Sequence, residues 1–253
     1  MSQADARQRG FTLIEMSIVL VIIGLIIGGI LKGQELIESA RIKNVINQID
    51  IVRTATNAFQ DRFNSLPGDY NQPIITSAPV GNQDGIIAVS GVTAAYASTG
   101  AIAGAAKNAG ELQFFFDQLI AANLLGGGAM IKSGGTAPTN FAGGANPSPF
   151  PSSAYPQSGL SIAYGTHSGD TAANPEAKTT NWLIMSKWGT TIIQTSATAI
   201  VSPSRAFQLD AKYDDGTPLG GNIRSLGATT NCTGSTYGST SETVSCDFAF
   251  TLN

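Results

Sequence analysis

Few side chains in this chain of 253 residues have types suited to catalysis or to metal binding. One histidine and two cysteines are too few for a zinc site built from these ligands. A catalytic triad would have to use His167 as its base. Lys132 and Ser133 follow a run of glycines, but Ile131 stands where a phosphate-binding loop requires glycine. We therefore predict that the chain is not an enzyme and has no catalytic residue and no cofactor.

Two groups of side chains offer oxygen atoms of the kind that calcium prefers. They are Asp69, Asn82 and Asp84, and Asp210, Asp214 and Asp215. Neither group has the spacing of an EF-hand loop, and acidic side chains in turns are commonly solvated. We therefore predict that both groups are turn residues and that the chain has no metal site.

One carboxylate has an unusual position. Glu15 lies inside the almost wholly apolar segment from Phe11 to Leu31. A charge in the middle of a membrane would cost about 2.5–3.5 kcal/mol, and less near its edge. The residues alone leave two interpretations open: either the Glu15 side chain extends to the membrane surface, or it pairs with a charged partner.

The apolar segment itself has the length of a membrane span. As a helix, residues 11–31 would extend roughly 31 Å, which matches the hydrocarbon core of a bilayer. No small residues that would form a secretory cleavage site follow the segment, which continues directly into Lys32 and Gly33. Basic residues flank it on both sides, so charge alone does not fix its orientation. We predict a transmembrane helix over residues 11–31.

The segment Gly10–Glu15 has the sequence Gly-Phe-Thr-Leu-Ile-Glu, directly at the start of the apolar segment. It closely resembles the cleavage and methylation motif of type IV prepilins and type II secretion pseudopilins. The resemblance implies that a prepilin peptidase cuts between Gly10 and Phe11 and that Phe11 is then N-methylated. It also implies that the Glu15 carboxylate pairs during assembly with the new amine of Phe11 on a neighbouring subunit. Many members of the family have proline where this chain has Lys32.

The same resemblance implies a location and a set of partners. The precursor would be a single-pass inner-membrane protein with its N-terminus in the cytoplasm. The assembled protein would be part of a periplasmic or cell-surface filament. The implied partners are copies of the chain or related pilins, the prepilin peptidase and methyltransferase, an assembly platform with its ATPase, and the inner membrane.

Two functions from different classes follow from these features. The first is a structural subunit of a type IV pilus or pseudopilus. The alternative is a minor pilin whose head binds DNA, a surface or a secreted substrate. Only 12% of the residues are charged and the formal net charge is −3, which gives no strong signal for nucleic-acid binding.

Apolar residues continue at helical spacing beyond the apolar segment. The stripe consists of Ile42, Val45, Ile46, Ile49, Val52, Thr56, Phe59 and Phe63. Charged residues, among them Arg53, occupy the opposite face, as in a helix that supports a globular domain. We predict a leader at 1–10, an amphipathic continuation of the helix over 32–65 that ends at Pro67 and Gly68, and an extracytoplasmic head over 66–253.

Patterns in the head predict a mixed architecture. Helices are expected over 110–125 and 203–213, strands at 182–185 and 190–193, and a half-buried strand at 244–252, where apolar residues alternate with polar or small ones. The density of proline and glycine predicts a long irregular loop over 126–180. The fold class is therefore α+β, a long N-terminal helix packed on an antiparallel sheet, similar to the pilin α/β-roll.

The two cysteines, Cys232 and Cys246, lie near the C-terminus in a segment that would be exported. An oxidising compartment favours a disulfide, and type IV pilins often close a C-terminal loop in this way. We predict that the two cysteines are bonded, and two free buried thiols are the alternative.

Overall fold

The structure is a computed structural model that describes residues 12–74, 81–87, 111–126, 153–155, 158–166, 178–187, 199–227 and 230–252. It divides into two units, Met1–Lys43 and Asn44–Asn253. The elements in chain order are α1 (Leu13–Phe63), α2 (Glu111–Ala121), β1 (Ser158–Thr166), β2 (Thr179–Lys187), α3 (Pro203–Tyr213), β3 (Ile223–Gly227), α4 (Thr230–Thr233) and β4 (Cys246–Thr251). The chain is thus α+β, as predicted.

The described part of the first unit is the N-terminal part of α1. Its large apolar side chains are exposed from Leu13 to Leu31, and Leu25 reaches 73%. A continuous apolar surface of this size is unfavourable in water. By length and composition, this helix is able to cross a membrane.

The second unit contains the C-terminal part of α1 and an antiparallel sheet with the strand order β1-β2-β4-β3. Val45, Ile49, Val52 and Phe59 on α1 are almost fully buried, so the predicted apolar stripe does form a packed face. The Gln48 side chain on the same helix accepts a hydrogen bond from the backbone N–H of Ala154 at 3.1 Å. The Arg53 guanidinium, also on α1, donates to the Thr251 carbonyl of β4, so the C-terminal part of α1 packs on the sheet, as the fold class requires.

Helix α1 ends earlier than its sequence predicts. The prediction extended the helix to residue 65 and used Pro67 and Gly68 as the stop. In the structure Asn64 has a positive φ of 52°, and its N–H donates to the Gln60 carbonyl at 2.8 Å. Asparagine is one of the few residues that tolerate this left-handed conformation, which is common just beyond a helix end.

Strand β4 is more deeply buried than predicted. Its six residues are all buried, whereas the alternation predicted one solvent-facing side. The strand lies between β2 and β3, so its backbone is paired on both edges. Phe248 and Phe250 point to one face while Asp247 and Ala249 point to the other, and all four are at most 2% exposed. The prediction of a half-buried strand is wrong because both faces of this central strand are covered.

The predicted loop over 126–180 contains a regular strand. Strand β1 pairs with β2 in register, so that Leu160 lies opposite Met185 and Ile162 lies opposite Leu183. Apolar residues at every second position of β1 are typical of a strand. A loop was predicted because proline is frequent on both sides of this segment. The loop prediction is therefore wrong for this segment. The strand predicted at 190–193 lies outside the described residues.

The two predicted helices of the head are present. Helix α2 lies within the predicted range, and it stops near Asn123, which has a φ of 56°. Helix α3 has the predicted bounds, with Pro203 in its first turn and a buried face that includes Ala206 and Leu209. Proline suits this position because the first turn leaves its backbone N–H groups without helical partners.

Candidate functional site

A reciprocal set of hydrogen bonds surrounds the first residues of α1. The backbone N–H and the hydroxyl of Thr12 both donate to Glu15 Oε2 at 2.8 Å. In return, the backbone N–H of Glu15 donates to the Thr12 hydroxyl oxygen at 3.3 Å. This is a capping box, in which a threonine and a glutamate three residues later satisfy the free N–H groups at a helix start. The sequence contains the Thr-x-x-Glu pattern, but the prediction from sequence considered only the charge of Glu15 and missed the cap.

The capping box fixes the direction of the Glu15 side chain. Its carboxylate is directed towards the N-terminus of α1, where the helix dipole favours a negative charge. Both bonds from Thr12 end on Oε2, so Oε1 accepts no hydrogen bond from a residue that the structure describes. Gly10 and Phe11 lie outside the described residues. The carboxylate is therefore held next to the backbone that leads to the predicted cleavage bond.

Replacing Thr12 with valine should loosen the start of α1. The change removes the hydroxyl and leaves the shape of the side chain nearly unchanged, so about 1 kcal/mol of capping is lost. Amide exchange of residues 12–15, measured in detergent micelles, should become about fivefold faster. Ser17→Ala is the matched control, because the Ser17 hydroxyl donates to the Ile14 carbonyl within the same helix and takes no part in the cap. Unchanged exchange in Thr12→Val would contradict the capping role.

The two cysteines lie together in the second unit. A disulfide joins Cys232 on α4 to Cys246 at the start of β4, and both residues are fully buried. The backbone N–H groups of Ile200 and Val201 donate to the Cys246 carbonyl at 3.0 and 3.1 Å. The bond closes a loop of residues 233–245, which we call the C-terminal loop.

The acidic groups considered as calcium ligands cap turns in the head. The buried Asp69 carboxylate accepts the N–H groups of Asp84 and Gly85 at 2.9 and 2.8 Å. Glu111, which the sequence did not suggest, has a carboxylate oxygen within 4.8 Å of those of Asp69 and Asp84. The carboxylates of the second group, 210, 214 and 215, are equally close to one another. The absence of a metal stays a prediction.

Arg53 connects α1 to the end of β4. Its guanidinium donates twice to the Thr251 carbonyl, at 3.0 Å from Nε and 2.7 Å from Nη2, and burial lowers its pKa. The sequence placed Arg53 on the solvent face, but the side chain is only about one-third exposed. Beside it lies a groove of about 530 Å³, lined among others by Asp50, Asp214 and Phe250.

One comparison with known proteins agrees with the N-terminal geometry. Residues 5–31 match the family model described as the prokaryotic N-terminal methylation motif. The match covers the predicted cleavage motif Gly10–Glu15, the capping box and the apolar part of α1. It supports a type IV pilin-like prepilin with a structural role, and the motif implies processing by a prepilin peptidase and assembly of pilins into filaments. Curated proteins and solved structures gave no match.

Proposed function

We propose that this chain is a structural subunit of a type IV pilus or of a type II secretion pseudopilus. The observation that carries the proposal is the motif Gly10–Glu15 at the start of a helix whose apolar surface is exposed. Such a surface requires either lipid or the same surface of another subunit. A helix of this kind suits both environments, first as a membrane anchor and then as the core of a polymer.

Cleavage between Gly10 and Phe11 is the step that permits assembly. Before it, the nitrogen of Phe11 is an amide and carries no charge. Afterwards it is an ammonium group, N-methylated by the processing enzyme, and it attracts the Glu15 carboxylate of a neighbouring subunit. In a low-dielectric environment this attraction is strong and each charge is costly if left alone. The open Oε1 of Glu15 supports this pairing, because an incoming ammonium need not displace Thr12 from Oε2.

The remaining organisation follows from the direction of export. Residues 1–10 form a cytoplasmic leader, 11–31 the membrane and assembly helix, 32–65 its amphipathic continuation, and 66–253 the extracytoplasmic head. The precursor lies in the inner membrane, and the mature chain joins a periplasmic or cell-surface filament. A disulfide between Cys232 and Cys246 suits an oxidising compartment. The assembly platform and its ATPase supply the work of extraction, since no catalytic role is assigned to this chain.

The processing step gives a direct test. Expression with an active prepilin peptidase should yield a chain that begins at Phe11 and carries the mass of one added methyl group. Gly10→Val should retain the leader, because a branched side chain replaces the glycine beside the scissile bond. Intact-mass measurement and N-terminal sequencing distinguish the products. A wild-type chain that still carries residues 1–10 beside an active peptidase would overturn the proposal.

The alternative is a minor pilin whose head binds a ligand. The groove beside Arg53 favours it, because its volume lies in the usual range for ligand sites. Its described lining carries both charge signs, with Asp50 and Asp214 opposed by Arg53, so it has no bias towards a polyanion such as DNA. Immunolabelling distinguishes the two roles: a bulk subunit is labelled along the filament, and a specialised one mainly at an end.

A further inference from the structure

Helix α3 is joined to the C-terminal loop by a buried contact between two side chains. Asp210 on α3 is fully buried, and its Oδ2 accepts a hydrogen bond from the Tyr237 hydroxyl at 2.8 Å. Tyr237 lies in the middle of the loop and is 7% exposed. Its ring also contacts Phe207 of α3, with the ring centroids 6.1 Å apart. The contact thus fixes the centre of a loop whose ends are held by the disulfide.

The surroundings of Asp210 do not compensate a negative charge. Within the described part of the chain, its second oxygen accepts one long bond, 3.3 Å, from the Gly216 N–H. Carboxylate oxygens of Asp214 and Asp215, in the turn after α3, lie within 4.8 Å of the Asp210 carboxylate, and both residues are acidic. Among the described residues no cation pairs with Asp210. Burial first, and then these two carboxylates, raise the pKa of Asp210 to about 7, although the bonds from Tyr237 and Gly216 oppose the shift.

The other elements packed on α3 leave this charge unbalanced. Strand β3 presents Ser225 to the Tyr237 hydroxyl. The sheet also has two charged neighbours, Arg224 on β3 and Asp247 on β4. Their side chains lie on the face opposite to Ser225, because side chains alternate along a strand. Helix α4 carries no titratable side chain, since its cysteine is in the disulfide.

The two cations of α3 itself are engaged elsewhere. Arg205 donates to the Gln208 side chain at 3.1 Å, and the ammonium of Lys212 lies 5.5 Å from the ring centroid of Tyr213. Burial and the adjacent Asp210 also raise the pKa of Tyr237. The tyrosine therefore stays protonated and remains the donor throughout the range in which Asp210 titrates.

We propose that Asp210 and Tyr237 form a pH-dependent clasp, which holds the C-terminal loop on α3 in acid and releases it as the pH rises. Protonated Asp210 is neutral and is tolerated in the buried site. Ionised Asp210 is a buried charge beside two other acids, and opening the loop lets water solvate it. Because the folded pKa of about 7 lies above the ordinary value of 3.8, the stabilisation is complete below about pH 4. It is lost as the pH rises through 7.

Hydrogen exchange of the full-length chain in detergent micelles tests the clasp. After correction for the intrinsic dependence of exchange on pH, amides of residues 234–245 should lose protection by up to about 100-fold between pH 5 and pH 8. This factor follows from the two pH units that separate pH 5 from the folded pKa of Asp210, about 7, because each unit changes the stability of the closed loop about tenfold. Amides of β2, at the far side of β4, should change much less.

Asp210→Asn provides the decisive variant. Asparagine still offers an oxygen to the Tyr237 hydroxyl but does not ionise, so the loop should remain protected at both pH values. Glu242→Gln is the matched control: Glu242 is an exposed acid on the same loop that accepts a bond from the Ser202 hydroxyl at 3.3 Å. This control should keep the wild-type pH dependence.

The results separate the clasp from a general effect of pH. Equal protection at pH 5 and pH 8 in the wild type would overturn the proposal, and so would a pH dependence that persists in Asp210→Asn. Should that variant fail to fold, carbon NMR titration of the Asp210 carboxyl in the wild type replaces it. A midpoint above about pH 6 supports the clasp, and a midpoint below pH 5 refutes it.

Discussion

Replacing Glu15 with alanine should abolish filament formation while leaving membrane insertion and cleavage intact. Removing one partner of a charge pair buried in a low-dielectric environment costs about 3–5 kcal/mol, because the other charge is left alone. At 1.4 kcal/mol for each factor of ten, subunit association should weaken by about two to three and a half orders of magnitude. Filaments sheared from cells and quantified by immunoblot should fall below detection. Normal filament yield from Glu15→Ala would refute the pairing.

Glu15→Gln separates the capping role of this side chain from its proposed pairing with the Phe11 ammonium. Glutamine can accept the bonds from Thr12 in a capping box, but it carries no charge for the Phe11 ammonium. If the charge pair drives assembly, filaments should be lost with glutamine as with alanine. If capping alone were required, glutamine would restore them. A matched control is Glu35→Gln, which removes an acid that pairs with Lys32 at 2.7 Å in the exposed part of α1. An exposed pair of this kind contributes about 0–1 kcal/mol, so this control should assemble normally.

Local signals in the sequence predicted most of the helices. For α3, these signals are the proline at its start and the apolar spacing of residues 206 and 209. All of them lie within one short segment of the sequence. The end of α1 was less accurate because Asn64, rather than the following Pro67, adopts the left-handed conformation that stops the helix. Asparagine also occurs inside helices, so its presence at position 64 does not by itself predict that the helix ends there.

Long-range pairing limited the prediction of the sheet. The alternation in β4 indicated a strand, but its burial on both faces depends on the strands beside it, which are distant in sequence. Arg53 was assigned to the solvent face for the same reason, since its acceptor is the carbonyl of residue 251. The environment of Asp210 likewise results from Tyr237, which lies 27 positions away. No local sequence pattern predicts these contacts.

The candidate N-terminal site was the part most accessible to sequence reasoning. The motif Gly10–Glu15 is contiguous, and the matching family model covers the same region. Its capping box was also present as Thr12 and Glu15 three positions apart. What the sequence did not provide was the direction of the carboxylate, which the two bonds from Thr12 define.

Removing the disulfide should strongly destabilise the head. The bond joins residues 14 positions apart, and closure of a loop of this size contributes about 3 kcal/mol on the chain-entropy model. The double variant Cys232→Ala and Cys246→Ala avoids placing a hydroxyl in this buried site. Its melting temperature should fall by about 6–12 °C for a unit of this size, as measured by circular dichroism of the purified chain in detergent.

Reduction of the wild type gives the internal control for this experiment. A reducing agent should lower the melting temperature of the wild type to near that of the double variant, and it should not alter the variant itself. The C-terminal loop should also lose protection at every pH, because its ends are no longer tied between α4 and β4. This effect is distinct from release of the clasp, which depends on pH and leaves the disulfide intact. Equal melting temperatures for the oxidised and reduced wild type would show that the bond does not support the head.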